Sequence, residues 1–283
     1  MTTVHQARRA GASLLAAHST SPQLDADVLL GHVLSLSRTQ LLTESTLELT
    51  PQQEARFREL LERRAALEPI AYIIGRKEFY GRDFVVDPRV LVPRPETELI
   101  VELALNWFQR RSRNTTIPLT IADIGTGSGC LAVTLALEVP QAYVFACDIS
   151  VEALAVAQQN IERYNVSDRV QLLQGSGCAP LPGSVTLVVA NPPYTILAEV
   201  DKNVYRWEPH LALDGGGVTG FDMPADLLAQ LPNYVDAGGA ILMEIGAWQG
   251  SLAMRHAQTA FPAGQIKLHQ DLAGHNRVLE IET

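Results

Sequence analysis

The chain has little of what marks a metal site, a disulfide framework or a membrane protein. Its 283 residues include only three cysteines, Cys130, Cys147 and Cys178. They form no CxxC pair and no histidine cluster shows metal-ligand spacing, so we predict no metal and structural thiols in a reducing compartment. The N-terminal residues lack the apolar core of a signal peptide, and no segment approaches the roughly 20 apolar residues of a membrane span. We therefore expect a cytoplasmic protein without a membrane partner.

Positive charge is also scarce, because 22 Lys+Arg stand against 31 Asp+Glu and the formal net charge is −9. Proteins that bind long stretches of nucleic acid usually carry a basic face or a net positive charge. The balance favours a small-molecule or protein substrate over a direct nucleic-acid partner. Composition is otherwise that of a globular protein, and the length suits two domains or one large α/β unit.

Sequence periodicity predicts a helical first part. Helices are predicted at residues 4–18, 24–36 and 51–67, the second starting at Ser21-Pro22. A short hairpin with Gly81 near its turn is predicted at 79–86, followed by a proline-broken segment. A helix at 97–111 and a polar loop at 110–116 come next.

From residue 118 onward, predicted strands and helices alternate. The strands are at 119–123, 143–148, 170–174, 185–190, 240–245, 265–270 and 278–281. The helices are at 128–138, 151–164, 222–234 and 250–260. This alternation is typical of an α/β fold with a mostly parallel sheet covered by helices on both faces.

A glycine-rich loop follows the first of these strands. The strand ends at Asp123 and runs into Gly125-Thr126-Gly127-Ser128-Gly129, whose glycines let the backbone turn sharply and approach a ligand. The next strand ends at Asp148, whose carboxylate can accept hydrogen bonds from ribose hydroxyls. Loop and carboxylate together predict a cofactor that contains a nucleoside. A dinucleotide, a turn without ligand, and an Asp148 that only caps the next helix with Ser150 are the alternatives.

The tetrapeptide Asn191-Pro192-Pro193-Tyr194 follows a continuous apolar strand. An amide or nucleobase amino nitrogen is a poor nucleophile because its lone pair is delocalised. The side-chain carbonyl of Asn191 and the backbone carbonyl of Pro192 can accept its two N–H groups, while the prolines fix φ. Tyr194 can cover the planar group. The pattern predicts methylation of a planar NH2 group by in-line displacement, governed by orientation; a merely rigid exit from the strand is the alternative.

These residues resemble the S-adenosylmethionine-dependent class I methyltransferases that carry NPPY. That group includes adenine-N6 nucleic-acid methyltransferases and the release-factor glutamine N5-methyltransferases, the PrmC/HemK family. The resemblance to the latter covers nearly the whole chain. It rests on DADVLL at 25–30, PIAYIIG at 69–75, EFYG at 78–81, VLVPRPETE at 90–98, the residues Glu208-Pro209, Ala212-Leu213, Gly215-Gly216 and Gly220, and DLAGHNR at 271–277.

The resemblance implies three parts: a small N-terminal helical substrate-recognition domain at 1–75, a β-hairpin linker at 76–93 and a Rossmann-like methyltransferase domain at 94–283. It implies methyl transfer from S-adenosylmethionine to N5 of the glutamine in the GGQ motif of peptide chain release factors, with S-adenosylhomocysteine as product. By carry-over, the cofactor-binding residues are Asp123, Gly125, Thr126, Gly127, Ser128, Gly129, Asp148, Ser176, Gly177 and Asn191. The substrate-binding residues are Asn191, Pro192, Pro193 and Tyr194, with Asn191, Pro192 and Tyr194 catalytic.

One segment differs from the family. After the strand at 170–174 the family often has an acidic or aromatic residue near the adenine, whereas this chain has Gly175-Ser176-Gly177-Cys178. The Ser176 hydroxyl and backbone N–H groups are the contacts expected there.

Some interpretations stay open on the sequence alone. Arg94 is expected either to contact an acidic substrate segment or the cofactor carboxylate, or to pair with Glu96 or Glu98. An adenine-N6 nucleic-acid methyltransferase and a non-catalytic binding module with the same fold remain alternative functions.

Overall fold

The computed structural model describes residues 2–111 and 119–283, and the chain divides into two compact units, Met1–Arg76 and Lys77–Thr283. The first unit contains the helices α1 (Val4–Leu15), α2 (Pro22–Leu34), α3 (Arg38–Thr43), α4 (Pro51–Ala65) and α5 (Ile70–Ile74). The three predicted helices are confirmed, although each ends two or three residues before its predicted end. The short helices α3 and α5 were not predicted.

Buried charge and apolar packing hold the first unit together. Its core includes Leu29, Leu30 and Leu60, which are fully buried. Asp27, which is 1% exposed, accepts hydrogen bonds from the Arg8 guanidinium at 2.7 and 2.8 Å and so joins α1 to α2. Burial would raise the pKa of Asp27, but the hydrogen bonds from Arg8 hold it below its usual value. The acidic motif at 25–30 therefore has a structural role in the first unit.

The second unit is built on a seven-stranded sheet. The hairpin strands β1 (Arg76–Phe79) and β2 (Arg82–Val85) confirm the predicted hairpin, whose turn has positive φ at Tyr80 and Gly81. The remaining elements are α6 (Glu98–Arg111), β3 (Leu119–Ile124), α7 (Cys130–Glu138), β4 (Ala142–Asp148), α8 (Val151–Arg163), β5 (Val170–Gln174), β6 (Val185–Ala190), α9 (Lys202–Trp207), α10 (Asp222–Gln230), β7 (Val235–Glu244), α11 (Gly250–Ala260), β8 (Gln265–Gln270) and β9 (Asn276–Glu282).

Most predicted strands and helices of this unit are confirmed within a few residues. Strand β7 begins at Val235 rather than at 240, and α10 ends at Gln230, where a 3-10 turn containing Pro232 takes over. Helix α9 was not predicted. The predicted loop at 110–116 is wrong for Arg110 and Arg111, which end α6, and from position 112 it lies outside the described residues.

The strand order places two loops side by side. The order is β5-β4-β3-β6-β7-β9-β8, in which β9 runs antiparallel to both neighbours and the other pairs are parallel. Strands β3 and β6 are neighbours, with Ile124 paired to Ala190, while their connections leave in opposite directions along the sheet. Such a switch point is where open α/β sheets bind ligands, at the carboxyl ends of the strands. The segments after β3 and β6 meet at this edge.

Helices cover both faces of the sheet. Strand β6 is buried along its whole length, with Leu187 and Val189 facing one core cluster and Val188 facing the other. Strands buried on both faces read as continuous apolar runs, which is the pattern in the sequence. Among the helices of residues 2–111 and 119–283, none is both long and apolar enough to cross a bilayer.

Candidate active site

A cleft with a volume of about 280 Å³ opens where strands β3 to β6 end. The predicted residues that line it are Gly125, Thr126, Gly127, Ser128, Asp148, Ser176, Gly177, Asn191, Pro192 and Pro193. The structure describes every predicted site residue, and of these only Asp123, Gly129 and Tyr194 are absent from the cleft wall. The two motifs therefore border one cleft.

The glycine loop is held against strand β4. The carbonyl oxygen of Cys147 accepts the N–H groups of both Gly125 and Thr126 at 2.9 Å. Gly129 has φ +78°, and a Cβ there would lie 3.2 Å from the Cβ of Ala157 on α8. Gly129 therefore permits close packing behind the loop rather than approach to a ligand.

Asp123 supports the loop from beneath. It is fully buried, and its Oδ2 accepts the Thr126 hydroxyl at 2.6 Å and the Ala132 N–H at 3.1 Å. Burial raises the pKa of Asp123 to about 7, although these two hydrogen bonds oppose the rise. Its carboxyl group shapes the loop and does not face the cleft.

Asp148 joins the end of β4 to the glycine loop. Its Oδ2 accepts the Gly127 N–H and its Oδ1 accepts the Ser150 N–H, both at 2.9 Å. The N-cap of α8 is Ser150, whose hydroxyl accepts the Ala153 N–H at 3.1 Å. Burial raises the pKa of Asp148, while backbone hydrogen bonds oppose this. Each carboxylate oxygen retains a lone pair that could accept a ribose hydroxyl.

A chain of two hydrogen bonds fixes the side chain of Asn191. Its Nδ2 donates to the Thr97 hydroxyl at 3.0 Å, and that hydroxyl donates to Oε2 of Glu244 at 2.6 Å. The Thr97 hydroxyl has one proton, which it donates to Glu244, so its oxygen faces the Asn191 NH2 group as an acceptor. The Oδ1 atom of Asn191 is then the amide atom left to accept a hydrogen bond from another molecule.

Glu244 ends strand β7 and is 1% exposed. Its second oxygen accepts the Tyr194 hydroxyl at 2.9 Å. Burial raises the pKa of Glu244, and the hydrogen bonds from Thr97 and Tyr194 oppose the rise. Burial and the nearby Glu244 also raise the pKa of Tyr194, whose hydroxyl thus serves as a donor to this carboxylate. That Tyr194 covers a planar substrate stays a prediction.

Sequence reasoning missed both Thr97 and Glu244. Thr97 lies within the VLVPRPETE motif, but nothing in the motif shows which of its residues faces the cleft. An acidic residue near the end of an otherwise apolar strand was the available signal for Glu244. A carboxylate is costly to bury at that position, which indicates that it has a hydrogen-bonding partner or a functional role.

Of the two alternatives for Arg94, the ion pair with Glu96 or Glu98 is wrong. The Arg94 guanidinium donates to Oε1 of Glu208 at 2.6 Å, and Oε2 of Glu208 accepts the Val92 N–H at 3.1 Å. Glu208 is 5% exposed, and a carboxylate buried to this extent requires a partner, which Arg94 provides. The pair holds together two segments that border the cleft at Pro93 and Pro209.

Gln249 fixes the chain that follows the NPPY motif. Its Nε2 lies 2.9 Å from the carbonyl oxygen of Tyr194 and 3.0 Å from those of Thr219 and Gly220, to which it donates. Its Oε1 accepts the Gly246 N–H at 2.8 Å. A single buried amide therefore braces the turn beside Tyr194.

The three cysteines are free thiols. Burial raises the pKa of Cys130 and Cys147 to about 12 and that of Cys178 to about 11. The thiols stay protonated at neutral pH, as suits structural residues rather than nucleophiles.

Two family models match the sequence. The PrmC N-terminal domain matches residues 6–75, and the Methyltransferase small domain matches residues 105–207. A release factor glutamine methyltransferase of Moorella thermoacetica is 41% identical over 260 residues, which are 90% of this chain and 89% of that protein. The chain belongs to the release factor glutamine methyltransferase family. Another member, from Bradyrhizobium diazoefficiens, is 37% identical over 98% of this chain and 93% of its own length.

Solved structures confirm the predicted Rossmann-like class I methyltransferase fold. A Thermus thermophilus 16S rRNA N2 G1207 methyltransferase, in complex with AdoMet and guanosine, has a TM-score of 0.53 at 17% identity and covers 74% of this chain and 49% of its own. A methyltransferase from Pyrococcus furiosus has a TM-score of 0.52 at 18% identity, covering 73% and 91%. These likenesses show the fold alone. With the family membership, they make this chain a methyltransferase.

Proposed function

We propose that this chain transfers a methyl group from S-adenosylmethionine to N5 of the glutamine in the GGQ motif of peptide chain release factors. The oriented acceptor Oδ1 of Asn191, beside the glycine loop, carries the proposal. A Cβ built on Gly125 would lie 3.9 Å from the carbonyl oxygen of Asn191, so cofactor loop and substrate motif are adjacent. Membership of the release factor glutamine methyltransferase family supports the choice of a glutamine amide over other planar NH2 groups.

The cleft has the chemistry that an adenosyl cofactor requires. Asp148 offers free carboxylate lone pairs at the end of β4, and Ile124, Leu131 and Ile149 give the cleft apolar walls. We assign cofactor contacts to the predicted cofactor-binding residues that line the cleft. Asp123 and Gly129 act indirectly, Asp123 by supporting the glycine loop from beneath and Gly129 by permitting close packing behind it. When bound, S-adenosylmethionine supplies a methyl group activated on a sulfonium, leaving S-adenosylhomocysteine.

The residues of this chain orient the substrate amide. Asn191 Oδ1 and the Pro192 carbonyl accept the two N–H groups of the substrate amide, which aims the nitrogen lone pair at the methyl carbon. A C–N bond forms as the C–S bond breaks, and the nitrogen then loses one proton to solvent. No strong base is required, and both Glu244 oxygens are already engaged by hydroxyl groups.

We also propose that the helical unit Met1–Arg76 contributes to recognition of the release factor. The predicted division at 1–75, 76–93 and 94–283 stays a prediction. The reaction would take place in the cytoplasm, where release factors work, without direct contact to nucleic acid. A short GGQ peptide should then show a much higher KM than the whole release factor, while kcat changes less.

In the direct test, the protein is incubated with a purified release factor and with cofactor that is labelled in the methyl group. Label should appear on the GGQ glutamine and be absent from a release factor in which that glutamine is alanine. Asn191→Ala should abolish turnover while cofactor binding is largely kept, because the glycine loop and Asp148 are unchanged. Labelling of DNA or RNA that survives protease would favour the adenine-N6 alternative. Cofactor binding without turnover on any substrate would indicate a non-catalytic module.

A further inference from the structure

The strand order gives an expected direction for an adenosyl cofactor in the cleft. The methyl acceptor is expected beside Asn191, which follows β6, and the ribose beside Asp148, which ends β4. Because the order is β5-β4-β3-β6, the adenine continues from β4 toward the end of β5. The loop at 175–177 lines that end of the cleft.

This loop has almost no side chain with which to read a base. Gly175 and Gly177 have none, and Ser176 has only a hydroxyl. Adenine presents an amino donor beside ring-nitrogen acceptors, so a selective site needs an acceptor opposite the amino group. Helix α10 also borders the cleft, through Asp226 and Gln230 among others.

Gln230 occupies the space that a side chain at position 177 would fill. A Cβ on Gly177, which has φ +55°, would lie 2.6 Å from Oε1 of Gln230. That Oε1 accepts the Cys178 N–H at 3.1 Å, and Nε2 of Gln230 donates to the Asp226 carbonyl oxygen at 3.1 Å. One amide therefore fastens the loop after β5 to α10 and fixes Ser176 relative to Asp226.

Asp226 brings a second carboxylate to the cleft, whose other acidic lining residue is Asp148. Both oxygens of Asp148 accept backbone N–H groups. Within the described ranges, by contrast, no hydrogen bond or ion pair engages the exposed carboxylate of Asp226. A carboxylate accepts but does not donate, so it favours the 6-amino group of adenine and opposes the 6-oxo group of hypoxanthine.

We propose that Asp226 selects adenine by accepting a hydrogen bond from its 6-amino group, and that Gln230 is the positioning residue for this contact. The inference rests on the proposed function, since it requires an adenosyl cofactor in this cleft. It makes base selection a property of α10, in compensation for a loop that lacks a carboxylate.

Isothermal titration calorimetry with two ligands tests the proposal without any release factor. S-adenosylhomocysteine should bind wild type at least about tenfold more tightly than S-inosylhomocysteine, as expected from one charge-assisted hydrogen bond. Asp226→Asn should lose most of this preference, because an amide can donate to the 6-oxo group. The matched control Asp168→Asn, at an exposed position that does not line the cleft, should keep it. Gln230→Ala should also reduce this preference, because Asp226 and the loop at 175–177 lose the amide that holds them together.

The possible outcomes separate the role of Asp226, the role of Gln230 and the proposed function. If S-adenosylhomocysteine binds tightly but wild type shows no preference, or Asp226→Asn keeps the wild-type preference, the assignment of Asp226 is overturned and the proposed function stands. If Gln230→Ala keeps the wild-type preference, whether or not it binds both ligands more weakly, its positioning role is overturned. If wild type binds neither ligand, the proposed function itself fails.

Discussion

Replacing Glu244 by glutamine tests whether a buried carboxylate sets the orientation of the Asn191 amide. Glu244 accepts from both Thr97 and Tyr194, at 2.6 and 2.9 Å. Glutamine has nearly the same shape, but its NH2 group must donate to one of the two hydroxyls. If it donates to Thr97, the Thr97 proton turns toward Asn191 and favours an amide flipped by 180°. The NH2 group of Asn191 would then meet the NH2 group of the substrate.

The size of the effect follows from the hydrogen bonds involved. A hydrogen bond to a charged group contributes about 1.5–3 kcal/mol. Loss of about 2 kcal/mol in the transition state corresponds to a decrease in kcat of about thirtyfold. The nucleoside end of the cleft is unchanged, so the cofactor Kd should stay within about twofold.

The assay is steady-state methylation of a release factor, with cofactor Kd measured by calorimetry. Glu280→Gln is the matched control, because Glu280 is also a buried glutamate, 3% exposed, on the neighbouring strand β9, and pairs with His269 away from the cleft. It should lower stability without lowering kcat. Thr97→Ser keeps the hydroxyl and should retain most activity, whereas Thr97→Val should resemble Glu244→Gln.

A folded Glu244→Gln variant with kcat within twofold of wild type would refute the reasoning. Equal losses of kcat in Glu244→Gln and Glu280→Gln would also refute it, since a general loss of stability would then explain both.

Three further predictions concern stability. Burial raises the pKa of Asp123 from 3.8 to about 7. Between pH 3.8 and pH 7 the Asp123 carboxyl is therefore protonated in the folded state and ionised in the unfolded state. The contribution of Asp123 to the unfolding free energy should therefore fall by about 2 kcal/mol as pH rises from 5 to 7, and urea titrations of Asp123→Asn should show a correspondingly smaller decrease than wild type. Gln249→Glu should cost about 3 kcal/mol in urea titrations at pH 8, because a carboxylate would face three carbonyl oxygens. Gly220→Ala, with φ +68° and a Cβ 2.5 Å from the Tyr194 carbonyl oxygen, should lower Tm by several degrees, whereas Gly183→Ala, with open space, should not.

Regular elements with a clear period were predictable from the sequence. Strands β5, β6 and β8 and helix α11 have the predicted bounds. Helices α3, α5 and α9 span only five or six residues, too few to show a helical period. The start of β7 was missed because Gly238 and Gly239 interrupt its apolar pattern.

The candidate site was predictable to the extent that its residues follow consecutive strands. The glycine loop and Asn191 come directly after β3 and β6, and Asp148 ends β4, so the topology alone brings them to one edge. Thr97 and Glu244 are 147 residues apart and meet only through tertiary packing. Hydrogen bonds of that kind leave no local pattern in the sequence.

Two buried carboxylates flank strand β6 and cost the protein stability. Asp123 lies near the end of β3 and Glu244 at the end of β7, the two strands that neighbour β6. Burial raises both pKa values, and each carboxylate accepts a threonine hydroxyl, from Thr126 and Thr97 respectively. An apolar residue at either position would be easier to bury. Their placement on the two sides of Asn191 is therefore best explained by orientation, one carboxylate fixing the cofactor loop and the other fixing the amide acceptor.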